Sequence, residues 1–151
     1  MSNSPAAVDS IDRLIIKALS VDSNVKLKAL SKIVGLSSHA CKNRVSRLLT
    51  NGVVRRFSLD VSIAALGFGV EAILRIRPEA GERENVYNML VQMKNVTHFD
   101  TVGGDYPFHC RACAASLEEL DNRLDSIKKY AYVNVDVVIT SPFSSRIQGL
   151  L

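Results

Sequence analysis

The feature that most constrains this 151-residue chain is a pair of short amphipathic segments near its start, separated by a glycine. Leu27, Leu30, Ile33 and Val34 recur at helical spacing, Gly35 interrupts them, and Ser37 precedes a second stripe of Cys41, Val45, Leu48 and Leu49. Glycine accepts the left-handed backbone that ends a helix, and a serine oxygen caps the next one. The pattern therefore predicts two helices joined by a tight corner. Upstream, Ile11, Leu14, Ile15, Ala18 and Leu19 predict a further helix, with Asp9 as its cap and Asp12 in an acidic first turn favoured by the helix dipole. Gly52 ends the third helix, which completes a tri-helical helix-turn-helix unit.

The outer face of that third helix, from Ser38 to about Asn51, carries Ser38, His39, Lys42, Asn43, Ser46 and Arg47 and no acidic residue. In a helix-turn-helix this helix enters the major groove of double-stranded DNA, and residues near its N-terminus reach base edges. Asn43 can pair bidentately with adenine, Lys42 can donate to guanine, and Ser38 or His39 can serve a base or a phosphate. Arg47, one turn on, and Arg55 and Arg56, on a strand expected over Val53 to Leu59 as a wing, suit the phosphate backbone. Arg44 lies between the outer face and the core stripe, where its head can meet a phosphate or a neighbouring carboxylate. The charge distribution agrees: residues 1–57 hold ten Lys or Arg against three Asp, a net of +7, whereas the remainder holds nine against twelve, a net of −3. A solvated basic surface on an ordinary helical bundle is the alternative.

Beyond Gly67 to Gly69 the periodicity changes. Strands are expected at Val70 to Arg77, Val96 to Val102, Phe108 to Ala115 and Val133 to Thr140, with helices at Glu82 to Lys94 and Ser116 to Tyr130. In the last strand, Val133, Val135, Val137 and Ile139 should form the buried face. The order βαββαβ gives a four-stranded antiparallel sheet with both helices on one side and the other face partly apolar, available to a second copy. The fold class is thus α+β: an N-terminal helix-turn-helix, winged-helix-like DNA-binding domain (1–57), a linker (58–68), and a C-terminal ferredoxin-like domain (69–151).

Asp9-Ser-Ile-Asp12, Leu30, Gly35-Leu36-Ser37, Arg44-Val45, Leu48 and Gly52-Val53-Val54 together resemble, in identity and spacing, the DNA-binding half of the leucine-responsive regulator (Lrp/AsnC) family. Leu66-Gly67, the βαββαβ order and Gly104-Asp105-Tyr106 resemble that family's regulatory domain. The resemblance implies dimers built through the sheet domain, often assembled into octamers or other rings, and a small-molecule effector, commonly an amino acid. Where the family pattern continues to an aspartate, this chain has Pro107, which offers neither charge nor donor. Gly104, Asp105 and Tyr106 are candidate effector-loop positions; a tight turn is the other reading of the same residues.

Other classes fit less well. No apolar run approaches the roughly 20 residues of a bilayer span, and Met1 to Ser10 lacks a signal-peptide layout, so a cytoplasmic protein without membrane contact is expected. Cys110 and Cys113, near His109 and His98, stand three apart on a strand and so face opposite ways, which argues against a metal site. No cofactor is expected. Siroheme decarboxylase subunits are similar in architecture, and His98, His109 and Arg111 would be the residues to handle a tetrapyrrole. The chain has no tryptophan and no evident catalytic cluster, which favours a regulator over an enzyme.

Overall fold

The computed structural model describes residues 8–142 and 150–151. The start of the chain, considered above for a signal peptide, and positions 143–149 of the C-terminal domain lie outside the described residues. The chain folds as two compact units, the first running to Asp60 and the second spanning Val61–Pro142.

In the first unit, α1 (Ser10–Val21) starts at a closed capping box. The Asp12 N–H donates to Asp9 Oδ1 at 2.8 Å and the Asp9 N–H donates to Asp12 Oδ2 at 3.3 Å. Helix α2 (Leu27–Val34) ends at Gly35, whose φ of 71° lies in the left-handed region. The chain then turns directly into α3 (Ser38–Thr50), where Ser37 Oγ accepts from the Ala40 N–H at 3.1 Å. Ile15, Leu30, Val34, Cys41 and Leu48 make the buried core of this unit, flanked by Ile11, Leu36, Val45 and Val54. Four expected stripe residues stand outside it: Leu14, Leu27, Ile33 and Leu49 are exposed.

The expected strand over Val53 to Leu59 is absent. Residues 53–60 form no helix or strand, and Arg55 and Arg56 are exposed. A strand exists only when another pairs with it, and among the described residues nothing pairs with this segment.

In the second unit a 3₁₀ turn (Ala64–Leu66) leads into β1 (Val70–Pro78), α4 (Arg83–Gln92), β2 (Val96–Thr101), β3 (Phe108–Ala114), α5 (Leu117–Lys128) and β4 (Ala131–Val137). The strands lie in the order β2-β3-β1-β4 and every neighbouring pair is antiparallel, with Leu74 of β1 set between Cys110 of β3 and Val135 of β4. Alternation in β1 sends Ala72, Leu74 and Ile76 to one face, where Phe108, Cys110, Ala112 and Ala114 join them under Val86, Leu90, Leu120, Leu124 and Ile127 of the two helices. Burial pushes the Cys110 thiol up to about 12, as expected of a cysteine acting as a small hydrophobe.

The uncovered face of the sheet is partly apolar, with Ile73 and Tyr132 exposed on it, and is crossed by ion pairs: Arg111 Nη1 meets Glu71 Oε1 at 3.1 Å and Arg75 Nε meets Asp136 Oδ2 at 2.9 Å. One expectation about this sheet needs correction: β4 stops at Val137, and only Ala131 and Val133 belong to or pack on the core. Val135 and Val137 are partly exposed and Ile139 is 96% exposed, because β4 is an edge strand and an opening remains beside Val135, Leu117 and Leu124.

Candidate nucleic-acid interface

The corner at Gly35 and the Ser37 cap fix where α3 begins. Cys41 and Leu48, buried to 0% and 2% exposure, fix which way it faces. With that face inward, Ser38, His39, Lys42, Asn43 and Ser46 all project to solvent. Ser38 Oγ lies 3.4 Å from Ser31 Oγ of α2, and the Asn43 amide Nδ2 lies 3.2 Å from His39 Nε2, one helical turn back. The amide is thus held at its nitrogen. Lys42 has no ion pair among the described residues. The surface offers donors for phosphate and both donors and acceptors for base edges, with no carboxylate among its residues.

Arg44 and Arg47 are placed differently. About 100° per residue puts Arg47 roughly 140° around the helix from Lys42, and the structure turns it toward α1. Its Nη2 donates to Asp12 Oδ2 at 2.6 Å. Arg44 Nη1 donates to Asp12 Oδ1 at 2.9 Å and to Asp9 Oδ2 at 2.6 Å. The Asp12 side chain is 1% exposed, and each of its oxygens holds one guanidinium. The hydrogen bond from Arg44 holds the Asp9 carboxyl below its ordinary value, and the same pairing raises the Arg44 guanidinium. Of the two partners considered for Arg44 above, the structure places it on carboxylates. Arg47, expected on the outer face, is tied to the side. The signal for this cluster lies in the sequence: Asp12 falls three residues before Ile15 on the inward stripe, and a carboxylate buried there needs a cation beside it.

In the sheet unit, the loop after β2 closes with the Val102 N–H donating to the Pro107 carbonyl at 2.9 Å, and Gly104 takes a φ of 113° that glycine accommodates. Asp105 is exposed. The Tyr106 ring, half-buried, lies 5.8 Å from the Arg75 guanidinium and 5.6 Å from that of Arg77, which also stacks on Tyr132 at 4.7 Å. On the helix-covered face, Arg83, Glu84, Tyr87, Thr101 and Phe108 line an open cleft of about 380 Å³. Phe108 is its floor, set edge-on to Phe99 with centroids 5.5 Å apart and lying 5.0 Å under the Arg83 guanidinium. Sequence reasoning missed the cleft, because Arg83 and Glu84 look like ordinary first-turn residues until β3 brings Phe108 beneath them.

Comparison with known proteins agrees with this division. Residues 8–49 match the AsnC-type helix-turn-helix domain and residues 71–147 match the Lrp/AsnC ligand binding domain. The HTH-type transcriptional regulator FL11 of Pyrococcus furiosus is 33% identical over 120 residues, 80% of each chain. LrpA of Bacillus subtilis is 31% identical over 133 residues, 87% of this chain and 98% of its own. Among solved structures, the feast or famine regulatory protein of M. tuberculosis complexed with L-methionine superposes with a TM-score of 0.86 at 26% identity, covering 93% of this chain and 97% of that one. E. coli AsnC shares the fold, with a TM-score of 0.84 at 22% identity over 95% and 99% of the two chains. With a helix-turn-helix of this type ahead of a ligand-binding sheet domain, the chain belongs to the Lrp/AsnC family of DNA-binding transcriptional regulators.

Proposed function

We propose that the regulator reads its operator through Ser38, Lys42 and Asn43, with His39 orienting the Asn43 amide, Arg55 and Arg56 reaching the phosphate backbone and Arg44 and Arg47 steadying the helix from its side. The observation that carries this reading is the exposed N-terminal half of α3, where base-reading side chains stand together without a carboxylate. Retention of duplex fragments from the protein's own genome at low ionic strength tests it. Operator footprints should come as half-sites in phase with the ~10 bp turn, since we read the active species as a homodimer or a higher assembly of dimers. A monomer by light scattering, with a single isolated half-site footprint, refutes the dimer.

An amino acid is the proposed effector, near Gly104, Asp105 and Tyr106. Support comes from the match to a ligand binding domain and from the relative complexed with L-methionine; the cleft on the helix-covered face, which none of those three residues lines, is a second place for it. Arg83 suits a carboxylate, Glu84 suits an ammonium, and Tyr87 and Phe108 suit an apolar side chain. Titration with L-methionine and other apolar amino acids, read by heat and by change in operator affinity, checks this.

We read the chain as a regulator and not an enzyme, since its relatives are named transcriptional regulators. A saturable Soret shift on incubation with a tetrapyrrole would favour the siroheme decarboxylase reading instead. The site of action is the cytoplasm, with the DNA; no helix among the described residues is long and apolar enough to cross a membrane.

A further inference from the structure

We infer that Asp12 sets specificity by withholding Arg44 and Arg47 from phosphate, so that α3 meets DNA through Lys42 and Asn43 rather than through bulk charge. The inference rests on the reading that α3 lies against DNA. Helix α3 carries three cations, Lys42, Arg44 and Arg47. Two of them are matched by two carboxylates from another helix, Asp9 and Asp12, at 2.6 to 2.9 Å.

The clamp is rigid where rigidity counts. Asp12 is fixed by the capping box at the start of α1, is almost wholly buried, and gives one oxygen to each arginine. Buried, charge-assisted pairs resist exchange, because a carboxylate stripped of its cation inside the protein is left without compensation. Arg47 is nonetheless 49% exposed on its side chain, so it lies at the surface and is restrained by its partner rather than by burial. An arginine free at that position would add a phosphate contact that carries no sequence information and strengthens binding to any duplex. Asp12 therefore acts as a positioning residue: it lowers non-specific affinity and holds the reading helix against α1.

The test measures Kd for operator and for random duplex across a salt series, using the full chain and its Asp12→Asn and Arg47→Gln variants. Each phosphate contact adds about 0.9 to the slope of log K against log salt. Arg47→Gln should leave the slope unchanged, whatever affinity it costs by loosening α3 from α1. A slope shallower by about 0.9 would show Arg47 on phosphate and overturn the inference. Asp12→Asn should steepen the slope by about 0.9 to 1.8 and tighten random-duplex binding by roughly 8-fold at 0.1 M salt per arginine released, lowering the ratio of operator to random affinity. A merely structural role would weaken both DNAs and leave the slope alone. If Asp12→Asn does not fold, Asp12→Ser takes its place in the same series, and a shallower Arg47→Gln slope overturns the inference without either. If the unaltered protein retains no duplex, the DNA reading fails and the inference with it, an outcome distinct from a changed slope.

Discussion

Replacing Asn43 by alanine tests base readout most directly. A bidentate contact with adenine uses Oδ1 as acceptor and one hydrogen of Nδ2 as donor. Nδ2 has two hydrogens, and its partner here is His39 Nε2 at 3.2 Å, so the amide can keep that contact while it pairs with a base. No internal bond has to be surrendered, and the full value of about 1 to 3 kcal/mol applies, which is a loss of about 5- to 150-fold on operator. Random duplex should lose under about 2-fold, since alanine removes no charge. His39→Ala should cost less, about 3- to 10-fold, by releasing the amide from its held orientation, and should add little to Asn43→Ala because both act through one contact. Fluorescence anisotropy on operator and scrambled duplex, across the four members of this cycle, measures each quantity. Equal losses on the two duplexes, or additive effects of the two substitutions, would refute the assignment.

Three further outcomes are expected. Phe108→Ala should destabilise the sheet unit by about 3 to 5 kcal/mol in urea unfolding, and Phe108→Leu by about 1 to 2, since leucine keeps most of the burial but loses the ring contacts. Gly35→Ala should cost about 1 to 2 kcal/mol from backbone strain alone, because φ is 71° and an added Cβ would meet nothing within 4 Å; a neutral urea midpoint would contradict it. Asp9 has a folded-state value below its ordinary 3.8, so its contribution is present above that value and fades as pH falls through the lower one. Acid unfolding followed from pH 5 to 2 should therefore show Asp9→Asn losing less stability over that span than the unaltered chain.

Local signals were legible from the sequence because their causes are local. Asp9, Gly35, Ser37 and Gly52 mark helix ends through the chemistry of a few adjacent residues, and the structure uses each as expected. Signals that depend on a distant partner were not. Val53 to Leu59 has strand composition, but no described residue pairs with it, and Val137 and Ile139 alternate properly at and beyond the end of a strand that no described helix covers there. Alternation reports which residues share a face, and only tertiary packing decides which face is buried. The mixed character of the uncovered side stands nearer to view: Glu71, Ile73, Arg75 and Arg77 alternate with Ala72, Leu74 and Ile76 along β1. The Arg47 to Asp12 pair spans 35 positions, so helical phase can show that Arg47 leaves the reading face but not what receives it.

The modest interior of the helical unit has a thermal consequence. Five enclosed apolar side chains hold it together among the described residues, whereas thirteen hold the sheet unit. Free energy of opening follows enclosed apolar contact, so warming should loosen the reading head while the sensing half is still intact. Such a regulator would let go of its DNA at a temperature its sheet unit survives.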